Sequence, residues 1–496
     1  MNVPTSVVLG IDVGTTNLKV ALVALGDAPR TVATATRSTP ADPDGLVGAV
    51  VRAVAETTAA APEVRVAAVG VASMAETGAA FDRAGRPLTA LVDWSDLRAT
   101  DTARKLADEV DPDDLFVRTG VRLGPKVPLA KWAWFAEHEP TTWGRATMWA
   151  GAADVIVHAL TGRWVTDHTL AGRTGALALG AGEFDAGLAR SGRLDPARLP
   201  EVSRPGEVAG TVRAGPFTAA GLVQGTPVYV AGHDHAVGAH AVGVRAPGHV
   251  ADSLGTSEAV YAVVDDAAVA GAAARRRVAA NGMSLVRTVA GERSAVVAGS
   301  PAAGRLVAWW CRALAPGRSP STLFDGLEVP ARSGVDAPLV LPYLLGRQAP
   351  FPDPAARLDV VGLGIDDGDA RLRYALCAGL SLHARWMIEE ATGGALPTEV
   401  VLLGGPTRNA PWMRRKAALS PWRTTRAEHE DAVALGAALL AAERAGLPTG
   451  TVATREVSVP PTPDASGAFD RFVAAVLRDD GRPPTATVGR TTRGTA

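Results

Sequence analysis

The stretch GIDVGTTNLKVALV, residues 10–23, decides the reading of the chain, because it returns near the midpoint as ADSLGTSEAVYAVV, residues 251–264. Each reads as strand, tight turn, strand: an apolar run, a glycine, a threonine with another hydroxyl residue, then a second apolar run. Thr15 and Thr256 are 256 − 15 = 241 residues apart in a chain of 496. The repetition predicts duplicated lobes that face one another, with the boundary near Pro247. Glycine lets such a turn bend sharply, so that backbone N–H groups and hydroxyls converge on phosphate oxygens. Asp12, just before the first turn, is placed to hold Mg²⁺ through water, since that ion keeps several waters and takes few carboxylates. Lys19 would add positive charge beside the same phosphates. The alternative is an ordinary hairpin whose Asp and Thr satisfy the turn.

Outward from the first hairpin, residues 6–36 alternate β-rich runs with turn signals, as in a strand meander. A helix is expected from about Gly45 to Ala60, and the apolar run Val64 to Val71 suits a strand buried on both faces. Strand runs followed by helices recur through residue 245, which predicts a mixed α/β layer fold. Val433 to Leu440 reads as a buried helix. From about Gly450 the chain is rich in Pro, Thr and Gly. A loose tail is expected there, with Ser466 to Arg478 forming one short amphipathic helix on the second lobe.

Composition narrows the function classes. Lys and Arg number 50 against 51 Asp and Glu, and no segment concentrates the basic residues. That argues against a nucleic-acid protein driven by phosphate contacts. No apolar run reaches the roughly 18 residues of a membrane span, and the start, MNVPTSVVLGID, lacks the features of a secretory signal. Cys311 and Cys377 lie far apart and form neither a metal spacing nor a disulfide framework, as suits a reducing cytoplasm.

Further motifs carry chemistry. No G-x-x-x-x-G-K-[ST] stretch occurs, so any ATP needs a different scaffold from a Walker site. Ala231-Gly232-His233-Asp234-His235 follows the strand TPVYVAG and precedes a helix of small residues. A carboxylate at that strand end is well placed to take a proton from a hydroxyl, a contribution of about 10²–10⁴ in rate. His-Asp-His also resembles a metal-ligand cluster, but neighbours on extended chain point to opposite sides, which makes three consecutive ligands awkward. A structural helix cap is the third reading. Val400 to Pro406, VVLLGGP, continuing to Asn409 and Trp412, is a strand ending in paired glycines, which admits a flat ring or simply a tight turn. Trp132, Trp134, Trp309 and Trp310 read as core aromatics.

Together these segments resemble the FGGY carbohydrate kinases, which include xylulokinase, glycerol kinase and ribulokinase. The resemblance runs over roughly residues 6–445. It includes AGRPLTALVDWSDLRA (84–99), AKWAWFAEHEPTTW (130–143), LTGRWVTDHTLAGRTG (160–175), LPEV (199–202), PYLLGRQAPFPDPAAR (342–357) and EDAVALGAALLAA (430–442). It implies an α/β fold of two actin-like, ribonuclease H-like lobes with ATP and sugar in the cleft between them. The lobes would span 1–246 and 247–449, followed by a largely irregular tail, 450–496.

By that similarity, Thr15, Thr16, Asn17 and Lys19 match the first phosphate motif, and Gly255 and Thr256 the second. Gly304 matches a nucleotide-contacting glycine, and Gly405 and Asn409 the adenosine motif. Asp234 matches the catalytic aspartate, and Glu76, Trp94, Ser95, Asp234 and His235 fall on the sugar side. The cofactors implied are ATP and Mg²⁺. The partner is a small sugar (a ketose) or polyol in the cytoplasm, with no nucleic acid or membrane, and a homodimer is one admissible assembly.

Some residues depart from the family pattern. Xylulokinases usually carry Gln-Met-His-Gly where this chain has Met74-Ala75-Glu76-Thr77, so a carboxylate replaces an imidazole. Glycerol kinase has Arg-Glu there; Glu76 matches that branch and Ala75 lacks the arginine. The expected activity is ATP-dependent, xylulokinase-like phosphorylation of a sugar or polyol hydroxyl. A glycerol-, tetrulose- or ribulose-type specificity, a non-catalytic actin-like ATPase and a sugar sensor stand as the alternatives.

Overall fold

The structure, a computed structural model, describes residues 7–26, 28–327, 337–429, 431–457, 459 and 465–479. Its frame is two sheets of like topology. The first has the order Arg30–Ser38, Asn17–Ala24, Val7–Val13, Val66–Ser73, Pro227–His233, Gly210–Thr211. The second has the order Ser284–Arg287, Ser294–Ser300, Glu258–Val264, His249–Leu254, Glu399–Leu403, Arg423–Ala427, Thr454–Glu456. In each, the opening strand pairs antiparallel with the next through the tight turn and parallel with a crossover strand on its other edge. The repeat seen in the sequence is thus a repeat of structure, and the chain has the two-lobed actin-like α/β architecture.

Alternation along the strands separates two cores. Leu9, Ile11, Val69 and Val71 pack outward with Leu46, Val50 and Ile156 from the helices Pro43–Ala59 and Ala152–Thr161. Val8, Ala21 and Ala68 point the other way, into a core shared with Ala251, Tyr261 and Val401 of the second sheet. The helices Asp234–Ala241 and Ala432–Arg444 fill that shared core with small side chains. Ala432–Arg444 follows the last parallel strand of the second half, yet it crosses the first sheet. A Cβ at Gly10 or Gly70 would stand 1.9 Å from the carbonyl oxygen of Ala434 or Ala437, so only glycine permits that crossing.

Residues between the crossover strands of the first half add a helical layer around Trp132, Phe135, Trp143 and Trp149. Trp310 lies in the second-lobe core. The helix Ala465–Asp479 sets Phe469, Phe472 and Val476 against Leu339, Leu341 and Trp386 of that lobe. The rest of the tail expected to be irregular lies partly outside the described residues. Among the described residues, no helix is long and apolar enough to cross a membrane.

Candidate active site

Three parallel strands of the first sheet end at one level. Asp12 and Gly232 are both in register with Ala72, and Val13 and His233 with Ser73. Open α/β sheets bind ligands in the crevice beyond such carboxyl ends. What leaves them here is the first hairpin, the segment Met74 to Thr77, and the helix that begins at Asp234.

At the first hairpin Gly14 N–H donates to the Asn17 carbonyl (3.2 Å), and the Thr39 hydroxyl holds the Gly14 carbonyl (2.7 Å). Thr15, Thr16 and Asn17 are exposed at the tip. The second hairpin closes between Gly255 N–H and the Ser257 carbonyl (2.8 Å), with Thr256 exposed. Gly304 N–H donates to the Gly255 carbonyl (3.1 Å) and Arg305 N–H to that of Thr256 (3.0 Å). The helix Ala303–Ala313 therefore abuts this turn, and a Cβ at Gly304 would stand 2.3 Å from Gly255 O.

Of the paired glycines, Gly404 is the one the backbone demands. Its φ is +97°, and a Cβ there would stand 2.0 Å from Leu254 O. A Cβ at Gly405 would meet only Arg408 Nη2, in ordinary contact at 3.8 Å. Asn409 is buried and already engaged. It caps the helix Ala410–Ala418 by accepting from Trp412 N–H (3.1 Å) and donates to the Ser321 carbonyl (3.2 Å).

Asp12 has one oxygen, Oδ1, that is shut off from solvent and lacks a hydrogen-bond partner. Burial, then the nearby Asp234, push its pKa up to about 8, with Lys19 opposing and Asp431 adding to the rise. The charge of Lys19 is not free: it pairs with Asp431, the residue before the helix Ala432–Arg444.

Asp234 is the first residue of its helix and accepts from His235 N–H (2.6 Å). Its Oδ1 lies 3.1 Å from His233 Nε2 and 3.9 Å from His235 Nδ1. Burial lowers the pKa of His233 to about 4, which leaves a neutral ring beside the carboxylate. Thr169 fixes the turn by accepting from His233 N–H (2.8 Å), and Gly232, at φ +130°, leaves room for that hydroxyl. The extended-chain argument against a common ion does not hold. The chain turns from strand to helix between residues 233 and 234, and the three donor atoms lie within 4.8 Å of one another.

Glu76 has a left-handed φ of 60°, a conformation that costs a non-glycine residue about 1–3 kcal/mol and collects at functional sites. Burial raises its pKa, but Arg173, Lys126 and His233 outweigh that and hold the carboxyl well below the usual range. Lys131, fully buried, braces the loop by donating to the carbonyls of Glu76 (2.8 Å), Val92 (3.1 Å) and Asp93 (2.7 Å). Trp94 Nε1 donates to Thr15 Oγ1 (2.8 Å), while Ser95 closes a local turn onto Asp93. His235 is part-exposed. Sequence reasoning missed Lys126, Lys131, Arg173 and Asp431. Nothing local marks them: Arg173 meets Glu76 across 97 residues of chain.

The chain matches the N-terminal domain of the FGGY family of carbohydrate kinases over residues 7–241 and the C-terminal domain over residues 250–445. It is 33% identical over 460 residues to a xylulose kinase of Streptomyces coelicolor, covering 89% of this chain and 88% of the relative. It is 24% identical to a gluconokinase of Bacillus subtilis, covering 88% and 87%. The crystal structure of a xylulose kinase from Rhodospirillum rubrum superposes with a TM-score of 0.84 at 27% identity, covering 96% of this chain and 99% of that one. The chain belongs to the FGGY family of carbohydrate kinases and is an ATP-dependent phosphotransferase with an alcohol group as acceptor.

Proposed function

We propose that Asp234 takes the proton of the acceptor hydroxyl while the two hairpins align the nucleotide's phosphates. Phosphoryl transfer needs little covalent help from a protein; it needs alignment and charge neutralisation. The observation that carries this reading is the common level at which strands Val7–Val13, Val66–Ser73 and Pro227–His233 end, so that Asp234 opens beside the hairpin of Thr15. The His233 ring lies against the carboxylate. Thr15, Thr16, Asn17, Lys19, Gly255, Thr256 and Gly304 serve the phosphates. Gly405, with only the Arg408 side chain beside it, serves the adenosine, and Asn409 positions the turn beneath it. On the acceptor side stand Glu76, Trp94, Ser95 and His235.

Asp12 suits Mg²⁺, held through water. Its orphaned buried oxygen and its nearness to Asp234 and Asp431 make a carboxylate whose charge Lys19 offsets only in part. The ion would neutralise phosphate charge when bound. We read the lobes as residues 1–246 and 247–449 with the tail at 450–496, the compartment as cytoplasm and a homodimer as the assembly to test. The relatives act on xylulose or gluconate by name, so the acceptor class is a short polyhydroxylated chain.

Asp234→Asn is the test. It lowers kcat by at least about 10², the scale of a lost general base, with stability and ATP binding hardly changed. Retained turnover in the purified variant refutes the role.

A further inference from the structure

Glu76 lies just beyond the strand Val66–Ser73, at a φ of 60°, and is held at both its backbone and its side chain. Lys131 donates to its carbonyl (2.8 Å). Arg173 donates to its carboxylate through Nε (3.2 Å) and Nη2 (2.6 Å), both to Oε1, and Lys126 Nζ lies 3.5 Å from that same oxygen. Among the described residues, Oε2 accepts no hydrogen bond. The side chains of Arg173 and Glu76 are only 6% and 9% exposed, so their pairing is a buried one. A strained backbone persists only where its surroundings over-determine it, and Arg173 is the partner that fixes this side chain.

Arg173 is itself set by a short, well-tied segment. Its N–H donates to the Leu170 carbonyl (3.0 Å), just past the helix His168–Ala171 that Asp167 caps. Thr169 of that helix receives the N–H of His233, the residue before Asp234 (2.8 Å). One segment therefore holds both the turn that carries Asp234 and the carboxylate of Glu76.

Resting on the acceptor-side reading of Glu76 above, we propose that Arg173 is a positioning residue for the acceptor: it occupies Oε1 of Glu76 and leaves Oε2 to receive one acceptor hydroxyl. Two donors from one planar group fix the rotation of the carboxylate, as a single ammonium does not. Arg173 also favours the charged form. Burial opposes ionisation of Glu76, and Arg173, Lys126 and His233 together outweigh it. Of the other charges facing Glu76, Lys126 comes from the loop before the helix Pro128–His138, Lys131 from that helix, and His233 from the end of its strand.

The experiment measures ADP release by the full chain with xylulose, gluconate and glycerol, and follows the best of the three in wild type, Glu76→Gln, Arg173→Lys and Arg173→Met. Both Arg173 variants raise the acceptor KM by roughly tenfold or more, the scale of a charge-assisted hydrogen bond, and leave the KM for ATP little changed. A pH profile separates positioning from bulk. In Arg173→Met burial is opposed by fewer cations and the Glu76 carboxyl rises, so its acceptor KM climbs further as pH falls from about 7 to about 5. Wild type and Arg173→Lys show no such climb, and Lys131, which burial lowers to about 8, stays charged throughout that window. Should Arg173→Met fail to fold by circular dichroism, Arg173→Lys decides through its two KM values. An acceptor KM unmoved in the Arg173 variants but raised in Glu76→Gln, or both KM values rising together, overturns this inference alone. An acceptor KM unmoved in Glu76→Gln, or no acceptor-dependent ADP in protein that binds ATP, overturns the acceptor-side reading and this inference with it.

Discussion

The indole Nε1 of Trp94 donates to Thr15 Oγ1 at 2.8 Å, bridging 79 residues of sequence. Trp94 is held in turn by its backbone N–H, which donates to Thr77 Oγ1 (3.1 Å) beside Glu76. One ring therefore joins the acceptor-side loop to the hairpin assigned to phosphate. Because Thr15 accepts from the indole, its own hydroxyl proton is turned elsewhere, available to a phosphate oxygen.

Trp94→Phe keeps an aromatic ring and removes that donor. The expected loss in kcat/KM for ATP is about fivefold, the worth of roughly 1 kcal/mol for one hydrogen bond. A double-mutant cycle with Thr15→Val checks the link. If the two losses simply add, the side chains are not coupled and the bridge has no functional weight.

Gly304→Ala tests the second hairpin. The new Cβ would meet Gly255 O at 2.3 Å, and a backbone carbonyl cannot swing aside as a side-chain tip can. The turn must shift, at a cost of about 1–3 kcal/mol in stability. Nucleotide affinity should fall while the KM for the acceptor changes little. Isothermal titration with an ATP analogue, beside urea unfolding, reads the two effects separately. Unchanged affinity would dissociate Gly255 and Thr256 from the phosphates.

What the sequence disclosed was local. The turn at Gly14 and its echo at Gly255 carry their own geometry, and the helix expected from Gly45 to Ala60 appears as Pro43–Ala59, with Asp42 capping it. The run Val64 to Val71 becomes the strand Val66–Ser73. Val433 to Leu440 was readable as a buried helix from its apolar run. Which sheet it crosses was not, because that choice rests on Gly10 and Gly70, hundreds of residues away. The acceptor pocket shows the same limit. Glu76 was visible as a departure from a motif, but its guanidinium and ammonium partners arrive from a helical layer whose packing fixes them.

Lys416 offers a prediction about stability rather than chemistry. Its ammonium is buried between Asp252 (2.6 Å) and Glu258, the residues that flank the second hairpin. Burial raises the pKa of Glu258, with Lys416 opposing. Lys416→Met leaves two carboxylates in the core without a cation, a destabilisation of about 3–5 kcal/mol. Replacing Asp252 and Glu258 as well by apolar residues of similar volume should recover much of that loss. Urea unfolding of the single and triple variants decides it; a single variant as stable as wild type would mean that water or rearrangement already relieves the carboxylates.

His383 sets a pH dependence far from the cleft. It is buried in the helix Asp369–Ala391, 3.4 Å from the Tyr343 hydroxyl, and burial lowers its pKa to about 3, with Arg347 and Lys416 adding to the effect. The unfolded chain binds a proton at this residue below its ordinary value of 6.5, whereas the folded chain does so only near 3. The contribution is therefore present above 6.5 and is lost as pH falls towards the folded value, at up to about 1.4 kcal/mol per pH unit. His383→Gln keeps a hydrogen-bonding side chain and removes the titration. Between about pH 7.5 and about pH 5, wild type should lose more stability than the variant, read as the shift in urea midpoint. Equal shifts in the two proteins would mean that His383 takes up its proton in the folded state, and so is less enclosed than its packing against Tyr343 indicates.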